Sequence, residues 1–177
     1  MSRIFGPVVQ QGYVVPDMRK GIEHWLARGV GPFYLIEDIR LPAEHYGERM
    51  DCHIQAAFAY SGDQQIELIV PYDDCGPTIY GDYLALHPEG GLQHLAVWCD
   101  DVDAKLAELK AQGVNYVVGH RYINSHAYLD LPDAPGVMIQ LMPTDDLHIR
   151  MFDIIREAAE TWDGRTDPVR PPAWDRG

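Results

Sequence analysis

Along this chain short stretches alternate apolar and polar residues, and twice the alternation gives way to helical spacing. Set "QGYVVPDMRKGIEHWLARGV" (11–30) above "LAVWCDDVDAKLAELKAQGV" (95–114) and the two stretches run in step. Each reads as an apolar strand, an aspartate able to cap a helix, an amphipathic helix, and a closing Gly-Val. Asp17 and Asp101 are 84 residues apart, and so are Gly29-Val30 and Gly113-Val114. One offset at both ends of a unit marks an internal repeat.

Further strands follow each helix. In the first half they are 33–39, 51–61 and 64–71, the last two joined by Gly62-Asp63 as a hairpin. In the second half they are 115–123, 126–131 and 136–143. "IEL" (66–68) lies over "IQL" (139–141), an offset of 73, so the second unit is 11 residues shorter. The stretch 40–50 reads as a long loop that accounts for the difference. The pattern predicts an α+β chain: two tandem βαβββ modules, 8–71 and 92–143, forming one cupped, barrel-like mixed sheet with helices outside. Residues 72–91 read as a linker. Residues 147–177 read as a C-terminal helix over 147–162, with Phe152, Ile155 and Trp162 near one side, and an extended proline-rich tail.

Strand alternation sorts the side chains. Glu67 falls opposite Ile66 and Leu68; His94, Ala96 and Trp98 fall opposite Leu95 and Val97; Met138, Gln140 and Met142 fall opposite Ile139 and Leu141. The offset of 84 makes Gln10 the counterpart of His94, and the offset of 73 makes Glu67 the counterpart of Gln140. All four lie on the face turned from the helices, about a pseudo-twofold axis. For His94 that convergence favours a metal ligand over a hydrogen-bonded core imidazole. In 51–59 the polar set Asp51, His53 and Gln55 is expected on the cavity side, with Cys52, Ile54, Ala56 and Phe58 under the helices.

Composition narrows the partners. With 27 acidic against 14 basic residues the net charge is −13, which argues against nucleic acid and an anionic membrane surface. No apolar run is long enough to span a bilayer, and no signal-peptide pattern opens the chain. Three scattered cysteines suit a reduced, cytoplasmic setting. The expected partner is a small molecule, and the expected assembly a homodimer.

The paired modules, with "YVVPD", "IELIVP" and "QHLAVWCDD", resemble the vicinal oxygen chelate superfamily over residues 8–143, closest to its glyoxalase I and methylmalonyl-CoA epimerase branch. The resemblance implies one divalent ion (Zn, Co, Ni, Mn or Fe) held by Gln10, Glu67, His94 and Gln140. It also exposes a departure: that branch has glutamate where this chain has Gln140, so the site is short of one charge and of a proton-shuttling base. An extradiol dioxygenase would need His at 10 and Glu at 140. The base is expected from Asp51, His53, His126 or Tyr128, and the pocket wall from Tyr34, Gln55, Trp98, Met138 and Met142. The implied activity is that of a metal-dependent isomerase, epimerase or lyase that polarises the carbonyl of a small, uncharged apolar or aromatic substrate and shifts a proton. The alternatives are a metal-free, ligand-sequestering protein like the bleomycin-resistance members, and a metal-free acid–base isomerase.

Overall fold

The computed structural model describes residues 4–122, 125–133 and 136–174. The first module comprises β1 (Val8–Val14), α1 (Met18–Leu26), β2 (Phe33–His45), β3 (Glu48–Ser61) and β4 (Gln64–Pro71). A connecting helix α2 (Ile79–Leu86) leads to β5 (Gly91–Cys99), α3 (Val102–Ala111), β6 (Val117–Tyr122), β7 (Ala127–Asp130) and β8 (Met138–Pro143). Helix α4 (Asp146–Thr161) and a two-residue strand β9 (Val169–Arg170) complete the chain. Asp17 and Asp101 cap α1 and α3 as their spacing predicts, accepting from the backbone N–H groups of Lys20 and Ala104. No helix among the described residues is long and apolar enough to cross a membrane.

The strands run in the order β3-β4-β1-β5-β8-β7-β6-β2, and β2 pairs back onto β3, closing an eight-stranded barrel with the helices outside. Both sequence offsets are written into its register. Gln10 pairs with Ala96 as His94 pairs with Gly12, and Gly12 pairs with Glu67 as Ala96 pairs with Gln140. Each pairing maps onto the other by adding 84 in β1/β5 and 73 in β4/β8.

Four sequence expectations need correction. The stretch 40–50 is no loop: β2 and β3 pair continuously from Leu41–Cys52 to His45–Glu48 around a turn at Tyr46 and Gly47, whose φ values are 47° and 87°. That long arm carries Ala43–His45 to β6, and their pairing with Tyr122–His120 shuts the barrel. The 72–91 linker contains α2, a helix whose apolar residues Ile79 and Tyr80 are buried. The strand expected over 115–123 is observed over Val117–Tyr122, and Ile123 lies outside the described residues.

The fourth correction concerns β3. Its inward residues are Cys52, Ile54, Ala56 and Phe58, while Ala57 and Ala59 pack outward on Met18 and Ile22 of α1. Apolarity cannot mark the outer face here, because α1 covers only the far end of β3 and the barrel interior is itself apolar. Helix α4 and the tail close over that interior: Met151, Phe152, Ile155 and Trp174 are buried against Tyr34, Phe58, Ala96 and Met142. The tail is anchored by β9 pairing with Phe33–Tyr34.

Candidate functional site

The four repeat-related residues meet inside the barrel. Gln10, Glu67, His94 and Gln140 are all buried, His94 completely. Gln10, His94 and Gln140 are each aimed by a neighbour. The Gln10 amide Nε2 donates to Gln65 Oε1 at 2.7 Å, and the Gln140 amide Nε2 donates to the Tyr128 hydroxyl at 2.9 Å. His94 Nδ1 lies 2.7 Å from Gln93 Oε1. An amide oxygen only accepts, so Nδ1 carries the proton and the neutral ring keeps its lone pair on Nε2. The ring passes so close to β1 that a Cβ at residue 12 would fall 1.9 Å from its Cε1, which is why that position is glycine.

With one atom of each amide and ring spent on orientation, the other is left over. Gln10 Oε1, Glu67 Oε2, His94 Nε2 and Gln140 Oε1 are buried and have no hydrogen-bond partner. His94 Nε2 and Glu67 Oε2 lie 3.2 Å apart yet are out of line for a hydrogen bond, so they approach as two groups facing a shared point. Buried lone pairs without donors are rare in folded proteins and call for an explanation at each atom. Four on converging residues, three oxygens and one imidazole nitrogen, form a donor set suited to a borderline divalent cation. Among the described residues no three His, Cys, Asp or Glu side chains form a metal cluster. This set has two of those types, and its other members are amides.

Against the quartet lies a buried chain of hydroxyls. Tyr80 donates to Tyr128 at 3.0 Å; Tyr80 and Tyr122 are 3.1 Å apart; Tyr122 and Cys52 Sγ are 3.6 Å apart. Burial holds all three phenols well above the ordinary tyrosine range and pushes the Cys52 thiol up to about 12, so every member keeps its proton. Each hydroxyl has one proton to give. Since Tyr80 gives its proton to Tyr128, Tyr122 must give to Tyr80, and the thiol to Tyr122. Tyr128 accepts twice, from Tyr80 and Gln140, and its own proton is left for an acceptor in the cavity.

That cavity measures about 260 Å³. Its walls include Ile36, Ile39, Ile54, Phe58, Met142 and Trp174, and its polar lining is Gln10, Glu67, Gln140, the three tyrosines, His126 and His148. Among the described residues no lysine or arginine lines it. Of the residues expected here, Met142, His126 and Tyr128 line it, while Tyr34 packs behind on Trp174 at 5.8 Å between ring centres. Trp98 packs at a tilt against Phe152, and Met138 touches Gln93.

Asp51, His53 and Gln55 stand elsewhere, on the outer side of β3. His53 bonds Asp74 through Nδ1, lies 3.0 Å from Asp38 through Nε2 and stacks on Tyr72. Gln55 donates to the Tyr72 hydroxyl, and Asp51 is exposed. A signal in the sequence would have placed them. The Gly62-Asp63 turn sets Ser61 opposite Gln64, hence Phe58 opposite Glu67, so the even-numbered residues of β3 share the face of Glu67. Sequence reading also passed over His148, which enters the cavity from the first turn of α4.

Comparison with known proteins agrees with this architecture. Methylmalonyl-CoA epimerase from Mycobacterium tuberculosis is similar in fold, with a TM-score of 0.57 at 23% identity over 84% of this chain and 95% of that one. A hypothetical protein from Bacillus halodurans C-125 gives 0.55 at 17% identity, over 79% and 95%. A selenomethionine methylmalonyl-CoA epimerase gives 0.50 at 19% identity, over 82% and 100%. No curated protein matches the chain in sequence. The family model for the glyoxalase/bleomycin resistance protein/dioxygenase superfamily matches residues 9–128, about two thirds of the chain, and the repeat, the closed barrel and this match together make the chain a member of that superfamily.

Proposed function

We propose that this protein is a divalent-metal-dependent isomerase or epimerase that moves a proton on the carbon beside a carbonyl of a small, uncharged substrate. The observation that carries the reading is the set of four unpartnered acceptor atoms on Gln10, Glu67, His94 and Gln140. Those residues would hold the ion (Zn, Co, Ni, Mn or Fe), with Glu67 and His94 as the strongest ligands. A divalent ion held there supplies Lewis acidity toward a substrate oxygen.

The protein's own groups do the rest. Gln65, Gln93 and Tyr128 fix the orientation of the ligand side chains, as outer-shell partners of metal ligands do. The uncommitted Tyr128 proton offers a hydrogen bond where negative charge would develop. Apolar walls and the cover of α4 and Trp174 lower the polarity around the site, which strengthens both effects. The cavity holds roughly nine water-sized volumes at about 30 Å³ each, room for a small ring or short-chain compound. The epimerases of similar fold are named for a CoA thioester; a cavity without lysine or arginine favours an uncharged ketone instead.

The test is solvent deuterium exchange. Metal-loaded and chelator-stripped protein are incubated in D₂O with small neutral ketones such as 2-methylcyclohexanone, and deuterium at the carbon next to the carbonyl is read by mass spectrometry. Exchange that requires metal supports the reading. Exchange equally fast in stripped protein contradicts it.

A further inference from the structure

The cavity holds six titratable side chains among its lining residues: Glu67, Tyr80, Tyr122, His126, Tyr128 and His148. Five are unsuited to taking a proton from carbon. Glu67 belongs to the ligand set. The three tyrosines are bound into the hydroxyl chain as proton donors, Tyr128 toward the cavity itself. His126 is neutral, but burial and the neighbouring His148 bring it down to about 3, too weak a base to hold a proton near neutrality. His148 is left.

His148 is also built for the task. Its Nδ1 lies 2.8 Å from Asp145 Oδ1, so Nδ1–H is committed to the carboxylate and Nε2 keeps the free lone pair. Asp145 is itself fixed: it caps α4 by accepting from the His148 backbone N–H at 2.9 Å. One carboxylate therefore starts the helix and orients the ring. The ring stands edge-on to His126, with centres 4.8 Å apart, which closes its other side. A base in the cavity wall, oriented by a third group, is the arrangement that base catalysis uses.

We propose that His148, held by Asp145, is the catalytic base of this site; the inference rests on the metal-site reading above. A substrate C–H bond breaks, its electron pair moves into the adjoining carbonyl system, and the proton passes to His148 Nε2. Nε2 then returns the proton to that carbon as the electron pair moves back out of the carbonyl system, so atoms and charge balance without a co-reactant. The base comes from α4, beyond the residues 9–128 matched by the family model, and takes up the role that Gln140 cannot fill.

Proton counting by calorimetry tests this without turnover. Acetohydroxamic acid, neutral near pH 7.5 and bound by divalent ions as its anion, is titrated into metal-loaded protein in two buffers of different ionisation enthalpy. In the wild type the displaced proton stays on His148. In His148→Gln, whose amide cannot take it, about one more proton per site appears in the buffer. Asp145→Asn is expected to behave like His148→Gln. Metal content, measured on the same samples, should not change with either substitution. Equal proton release from metal-loaded wild type and His148→Gln overturns the assignment of the base alone. Failure of the wild type to hold metal overturns the ligand set, and the base with it.

Discussion

Gly12 offers a sharp test of how the site is assembled, because its missing side chain lets the His94 ring reach the centre. A Cβ there would sit 1.9, 2.2 and 2.4 Å from Cε1, Nε2 and Nδ1 of His94. To regain ordinary contact the ring must withdraw by about 1.5 Å, yet it is completely buried and tied to Gln93. Overpacking of this kind costs roughly 1–3 kcal/mol, against which alanine regains about 0.5–1 kcal/mol of chain entropy in a strand. Gly12→Ala is therefore expected to lose about 1–2 kcal/mol of stability in urea denaturation. Metal affinity should fall further, by about 100-fold, because the ligand atom is displaced by far more than the few tenths of an ångström a coordination bond tolerates. Gly119→Ala is the control: its Cβ would crowd Met138 Cε at 2.7 Å, the free end of a flexible side chain, and touch the Tyr46 ring at an ordinary 3.4 Å. The assays are metal titration and denaturation of the three proteins side by side. Native metal affinity in Gly12→Ala would refute the placement of the His94 ring and the role given to it.

Gln140→Glu is expected to tighten divalent metal roughly tenfold by adding a second carboxylate, read by competition with a chelator. The new carboxylate would also accept the free Tyr128 proton, so tighter metal need not mean faster turnover. Tyr128→Phe should destabilise the fold by about 1–3 kcal/mol in urea, since the Tyr80 hydroxyl and the Gln140 amide lose a buried acceptor. His120 is fully buried and burial lowers it to about 4, below its unfolded value near 6.5. The unfolded chain therefore binds the extra proton in that window, and stability is full above about 6.5 and lost as pH falls toward 4, by about 3 kcal/mol; urea denaturation at successive pH values reads it. His53→Ala should leave metal binding and deuterium exchange unchanged, because the ring sits outside the barrel between Asp38, Asp74 and Tyr72.

The fold was legible because a repeat imposes the same geometry twice. Two offsets, 84 and 73, placed Gln10 with His94 and Glu67 with Gln140 before any coordinates, and the strand register repeats both numbers. Polarity misled at β3 because it was asked to distinguish inside from outside in a barrel whose inside is greasy. Ile54, Ala56 and Phe58 face the cavity and the polar His53 faces away. Hairpin register, a geometric rule, would have decided correctly where hydrophobicity could not. His148 stayed hidden for another reason. Asp-x-x-His at the start of a helix reads as a cap, and only the packing of α4 over the barrel turns that cap into a cavity wall. The β2–β3 arm was read as a loop because Pro42 and the polar run after it lack a strand's alternation; pairing with β6 supplies what local propensity does not.

Metal stoichiometry is the measurement that bears most directly on the central claim. Wild-type protein and Glu67→Gln, each stripped and then exposed to a series of divalent ions, are passed through a desalting column and read by inductively coupled plasma mass spectrometry. The account predicts about one ion per wild-type chain and almost none in Glu67→Gln, where the only carboxylate of the quartet is gone. A wild-type chain that retains no ion from the series, or a Glu67→Gln protein that retains as much as the wild type, would contradict it.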